Sequence, residues 1–236
     1  SPIALKEEEL CELFKLAKKN NLILMDSIKT AYSTAYNRLL LLAKKGKIGD
    51  VISVDATCTS LADGSGDDWN SITAWGPTAL LPVFQLLGTD YKDKNINSLL
   101  LDSAENFDLF TKIDFTYPNA VASIKVGKGV KSEGELIISG TKGYIYVPAP
   151  WWKTEYFEIR YEDPADNRRY FIQLDGEGIR FEWVQFLRMI AAMADGLTGE
   201  EVVRREGRIE REVSCAICDV VSDFESGKEV YYLGAS

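Results

Sequence analysis

The chain has 236 residues, 46% of them hydrophobic, and a formal net charge of −9. That composition supplies a substantial core and fits one large α/β domain or a domain plus a fragment, which excludes a disordered chain. No apolar run approaches the roughly 20 residues that span a bilayer, and the start SPIALKEEEL has neither the basic nor the apolar region of a signal peptide. Basic residues scattered among acidic ones leave no footprint for nucleic acid or an anionic membrane surface. A soluble, cytoplasmic protein with neither of those partners is expected.

In chain order, LKEEELCELFKLAKKN places Leu10, Leu13, Phe14 and Ala17 at helical spacing, with acids in the first turn and lysines in the last, which predicts a helix. LILM reads as a short strand, AYSTAYNRLLLLAKKGKIGD as a second helix stopped by Gly46, and VISVDATCTS as a strand with one covered face. LADGSGDDWNS is a loop, and SITAWGPTALLPVFQLLG carries an apolar helix opening at Pro77 that lacks any ionisable side chain. INSLLLDSAE, DLFTKIDFTY, AVASIKVGKG, GELIISG, YIYVPA, EYFEIRYE and RRYFIQL follow as closely spaced strands. Such spacing predicts a mostly antiparallel sheet, because parallel pairs need long crossovers. GIRFEWVQFLRMIAAMADG and residues 200–226 predict two closing helices before a last strand, EVYYL. Grouped strands and separate helices give an α+β fold: a broad, open-faced, mostly antiparallel sheet with helices on one face.

Cys11, Cys58, Cys215 and Cys218 read as small apolar residues on buried faces in a reducing compartment. CAIC has no second pair and the chain has no histidine, so a helical face is expected there rather than a metal or redox site. The run VRREGRIEREV predicts a solvated helix face with i, i+4 pairing.

KKGKIGDVISVDA, ISGTKGYIYVPAPWW, EWVQFLRMI and ESGKEVYYL, in this order and spacing, resemble the C-terminal domain of the Gfo/Idh/MocA oxidoreductases over nearly the whole chain. The resemblance implies a parent in which a Rossmann domain precedes this region, binds NAD or NADP, and ends in a Glu-Lys-Pro motif with a catalytic lysine. No G-x-G-x-x-G follows a strand here, so no cofactor is expected on this chain alone. Pro2 matches the proline of that motif and Ser1 stands at the lysine. Residues 1–27 then correspond to the tail of a Rossmann domain, a helix and a strand, and residues 28–236 to the substrate domain. In the family the helix at SITAWGPT typically reads Asp-x-Gly-x-His or Tyr. Gly76 matches the glycine, Ala74 occupies the aspartate position and Thr78 the histidine position, so both proton-handling groups are missing. Asp26 and Ala31 stand at the glutamate and arginine positions of a further family pattern.

Against that background Lys29 either faces the cofactor cleft and replaces the lost lysine or is a solvated helix-start lysine. Asp26 is a ribose or substrate ligand, or a helix N-cap. Tyr32 lines the cleft or belongs to the core, and Thr78 hydrogen-bonds a substrate hydroxyl or serves the first helical turn. Trp69 and Trp75 form a stacking platform for a sugar or polyol, or fill a core; Trp151 and Trp152 are assigned to packing or an interface. The resemblance and the apolar outer positions of ELIISG and YIYVPA together imply a homo-oligomer joined through the open sheet face.

Overall fold

The computed structural model describes residues 2–61, 70–100, 107–228 and 230–233. Helix α1 (Glu7–Lys19) and helix α2 (Thr34–Lys44) come first, followed by strand β1 (Val51–Ser60) and helix α3 (Ser71–Leu87). Seven strands follow: β2 (Asp93–Leu100), β3 (Asp108–Thr116), β4 (Val121–Lys128), β5 (Leu136–Gly140), β6 (Tyr144–Val147), β7 (Tyr156–Arg160) and β8 (Arg168–Phe171). Helices α4 (Ile179–Ala194), α5 (Gly199–Glu206) and α6 (Arg211–Glu225) lead to strand β9 (Val230–Leu233). The nine strands make one sheet in the order β8-β7-β6-β5-β1-β4-β3-β2-β9. Neighbours are antiparallel except β1 with β4 and β2 with β9.

Period-two alternation decides which face is covered. Val54, Ala56 and Cys58 of β1, Ile113 and Phe115 of β3, Ile124 and Val126 of β4 and Leu136 and Ile138 of β5 are all buried. They share one core cluster with Ile72, Leu80, Leu81 and Phe84 of α3. α3 lies against β1, β3 and β4, and α6 packs on α3. The opposite face has a different chemistry. Ser53, Asp55, Ser123, Lys125, Lys112, Asp114, Asn95 and Asn97 take its middle, while Ile137, Tyr144, Tyr146, Tyr156 and Phe171 take its β5–β8 end. There the Arg160 guanidinium stands 4.6 Å from the Tyr146 ring centroid and bonds Glu158 at 2.6 Å.

Several expectations change. LILM is extended but lies in no ladder: residues 22–28 carry no regular structure, because a strand needs a neighbouring strand to satisfy its backbone. The predicted helix–strand remnant of a Rossmann domain therefore appears as a helix and an extended arm. α3 begins at Ser71, six residues before Pro77, and contains both Pro77 and Pro82. Each proline withdraws an N–H from the carbonyl four residues earlier, those of Thr73 and Thr78, yet the helix continues because its sides are buried in the core. The expected helix over 200–226 is two helices: Gly207 is extended and packs so tightly on the Val203 carbonyl that a Cβ would collide with it. This turn buries Ile209 and breaks the i, i+4 pattern of VRREGRIEREV.

Two features lie outside the expectations. α4 buries only Gln185 and Met189 and exposes Ile179, Trp183, Val184, Leu187 and Ile190. Cys58 and Cys218 are buried as expected, but Cys11 and Cys215 are half-buried. CAIC lies within α6, and among the described residues no group of three or more His, Cys, Asp or Glu side chains suits a metal ion. No helix among them is long and apolar enough to cross a membrane.

Candidate functional site

α3 is held at its N-terminus by polar groups rather than by apolar contact alone. Asn70 caps it, its side-chain oxygen accepting from the Thr73 N–H at 2.9 Å. Behind it Asp108 of β3, fully buried, accepts from the Ser71 N–H at 2.6 Å and from the Thr111 hydroxyl at 2.6 Å. The Ser71 hydroxyl donates to the Asp108 carbonyl and accepts from the Lys128 N–H at 2.8 Å. Ser98 and Thr111 hydroxyls extend the network at 2.7 Å. A carboxyl at the positive end of a helix is electrostatically favoured, but burial dominates here and raises the Asp108 pKa to about 6, against the hydrogen bonds from Thr111, Ser71 and Ile72.

So anchored, α3 buries Gly76 and Pro77 and leaves Ala74, Trp75 and Thr78 half-exposed on one stripe. The Trp75 ring packs against Trp152 at 4.8 Å between centroids, tilted by 53°, and its indole N–H donates to the Ser60 hydroxyl at 3.2 Å. Trp152 follows Trp151 in a short 3-10 turn, Trp151–Lys153, and lies on Gly134, where a Cβ would sit 2.7 Å from the indole. Gly134 therefore makes room for the ring.

A second 3-10 turn, Lys29–Tyr32, joins this wall through side-chain hydroxyls. Thr30 donates to the Trp152 carbonyl and Ser33 to the Thr154 carbonyl, both at 2.9 Å. Lys29 is exposed and sits beside Gly178 at the start of α4. Tyr32 is buried, and its hydroxyl donates to the Asp26 carbonyl at 2.5 Å. Burial pushes the Tyr32 pKa far up, helped by the charges of Asp26 and Glu182 and opposed by Arg208. Asp26 is 3% exposed, and no helix begins beside it; Ser33 caps α2 instead, so the N-cap alternative for Asp26 is not realised.

The expected residues thus divide. Trp75 and Thr78 share the half-exposed stripe of α3, and Lys29, Asp26 and Tyr32 share the neighbouring segment, tied to Trp75 through Thr30 and Trp152. Trp69 lies outside the described residues. Tyr32 is buried with its hydroxyl on the Asp26 carbonyl, and its raised pKa disfavours deprotonation near neutral pH. Thr30, Ser33 and Asp108, and the contact of Trp152 with Trp75, have no counterpart in the sequence reading. The ST motif before α2 and the glycine at 134 carry too little pattern to connect positions about 120 residues apart.

No family model and no curated protein matches the chain. Solved structures do. KijD10, a 3-ketoreductase from Actinomadura kijaniata in complex with NADP and TDP-benzene, matches with TM-score 0.76 at 14% identity, over 99% of this chain and 71% of that one. UDP-N-acetylglucosamine 3-dehydrogenase GnnA from Acidithiobacillus ferrooxidans matches with TM-score 0.75 at 15% identity, over 97% and 69%. Both are Gfo/Idh/MocA-type oxidoreductases. The chain shares their fold. The resemblance seen in four short motifs therefore extends through the three-dimensional arrangement of almost every described element, at an identity too low for the sequence alone to display it.

Proposed function

We propose that this chain is the substrate-binding and oligomerisation part of an NAD(P)-dependent oxidoreductase acting on a sugar or polyol. The observation that carries the reading is the shared fold over 99% of the chain with a ketoreductase seen with NADP and TDP-benzene. In this reading residues 1–27 close a nucleotide-binding domain, residues 28–236 form the substrate domain, and NAD or NADP binds the parent rather than this chain. A cytoplasmic location belongs to the same reading, since free thiols suit a reducing compartment. Asp26, Tyr32 and Thr78 shape the pocket, Trp75 backed by Trp152 offers a ring face to a sugar, and Lys29 supplies the cation beside the reacting carbon.

The test is titration of the natural full-length protein with NADH and NADPH, followed by nicotinamide fluorescence, with the 236-residue chain as control. Binding by the parent alone is expected; a parent that binds neither cofactor overturns the reading. Lys29→Ala in the parent is expected to lower kcat by about 10²-fold or more while cofactor binding persists, and an unchanged kcat removes Lys29 from the chemistry.

Ala74 and Thr78 favour a second reading, a sugar-binding or dimerisation module without hydride transfer, since neither side chain titrates near neutral pH. A cofactor-binding parent with no turnover on any aldose or polyol is the result that selects it. Both readings place a homo-oligomer on the open sheet face. Ile137→Glu, on the apolar end of that face, is expected to give a monomer by sedimentation; an unchanged oligomer rules out that geometry.

A further inference from the structure

Three of the four cysteines lie on α1 and α6, which pack on each other. The contacts there fix a register. The Arg211 guanidinium lies 4.6 Å from the Phe14 ring centroid, and the Cys218 thiol reaches the Ala4 carbonyl at 3.2 Å. Ala4, Leu10 and Cys218 form a small buried cluster of their own, with Phe14 and Cys215 packed on it. Going forward along the chain from Ala4 to Phe14 corresponds to going backward from Cys218 to Arg211, so the two helices cross antiparallel. Cys11 lies between Leu10 and Phe14, and Cys215 lies between Cys218 and Arg211. The register therefore places Cys11 and Cys215 on the stretches of α1 and α6 that pack together. Cys11 is among the groups that raise the Cys215 pKa, after burial and against Arg211. Both are half-buried, open to a small reagent in a way that Cys58 and Cys218 are not.

We propose that Cys11 and Cys215 are an oxidisable dithiol whose disulfide staples α1 to α6. The oxidant is a small disulfide of the glutathione class. One protein thiolate attacks it, forming a mixed disulfide and releasing one small thiol; the second protein thiolate then displaces the other small thiol and closes the protein disulfide. Two electrons pass from the protein thiols to the reagent, and their two protons leave on the released thiols. The bridge closes a loop of nearly the whole chain and fixes α1 at the root of the extended segment that carries Asp26.

The test is incubation of the purified chain with glutathione disulfide, followed by thiol counting, peptide mapping without reductant and thermal melting. The expected result is loss of two of the four thiols, a Cys11–Cys215 peptide, and a melting temperature raised by about 10 °C that reductant reverses. Cys215→Ser and Cys11→Ser should each abolish the bridge and the shift, whereas Cys218→Ser keeps both. Melting of the reduced variants shows that each still folds. A Cys215–Cys218 bridge, a glutathione adduct that persists, a disulfide between two chains or four thiols still free would each overturn the proposal.

Discussion

Asp108→Ala is expected to cost about 3–4 kcal/mol of folding stability at pH 5, and distinctly less at pH 8. The loss arises because two buried donors, the Ser71 N–H and the Thr111 hydroxyl, lose their acceptor where water cannot replace it. The pH dependence follows from the direction of the shift. Burial holds the folded carboxyl at about 6, above its ordinary value of 3.8, so between these two pH values the folded protein binds the proton that the unfolded chain has released. Asp108 stability is therefore fully present below about pH 4 and is lost as pH rises through about 6, by about 3 kcal/mol in all. The variant has no such group, so its stability curve and that of the wild type should converge as pH rises.

Asp108→Asn separates the two parts of this argument. An amide imitates the neutral acid: it keeps an oxygen for the Ser71 N–H, and the Thr111 and Ser98 hydroxyls turn to accept and pass on the new donor. The asparagine variant should match wild type below about pH 4 and exceed it increasingly as pH rises toward 8 in urea unfolding. If the two proteins instead keep a constant difference from pH 4 to 8, Asp108 does not titrate in that window. The consequence for the site is direct. The carboxyl anchors the turn that opens α3, and Trp75 and Thr78 lie within the following two turns, so on the function proposed above sugar affinity measured alongside stability should follow the same pH trend.

How much of this is readable in the sequence depends on the range of each interaction. The strands are legible because alternation is local: VISVDATCTS and AVASIKVGKG announce covered and open faces within ten residues. Pro77 reads as a helix start because its local meaning is a first-turn residue, whereas burial of Ser71, Ile72 and Thr73 extends the helix ahead of it. The break at Gly207 stays hidden for the opposite reason, since a run of charged residues at helical spacing masks one close backbone approach. LILM has the composition of a strand, but composition cannot supply a neighbour. The open sheet face looks more apolar in sequence than it is. Its tyrosines pair with Arg160 and Glu158 across β6 and β7, a polar arrangement that strand propensity does not distinguish from apolar packing. At the site, Trp75 and Thr78 emerge by counting along α3, while the roles of Trp152 and Thr30 depend on contacts between distant segments.

Trp151→Ala should have the largest effect of any single substitution in the core, about 3–5 kcal/mol. Trp151 is fully buried, packs 6.3 Å from the Tyr36 ring between centroids and donates its indole N–H to the Thr57 carbonyl at 3.0 Å. Truncation opens a cavity at the meeting of β1, α2 and the turn that carries Trp152, and it leaves the Thr57 carbonyl without that donor. Trp151→Phe keeps most of the packing and loses only the N–H, so about 1 to 2 kcal/mol is expected from urea unfolding, with an unchanged m-value. Because Thr30 and Ser33 hold the Lys29 turn to the backbone on either side of Lys153, the alanine variant should also loosen that turn, seen as faster amide exchange at residues 29–33 than at β3. If exchange there is unchanged while stability falls as expected, Trp151 is a core residue with no hold on the site. If both change together, one buried indole sets the spacing between the Trp75–Trp152 wall and the cation at Lys29.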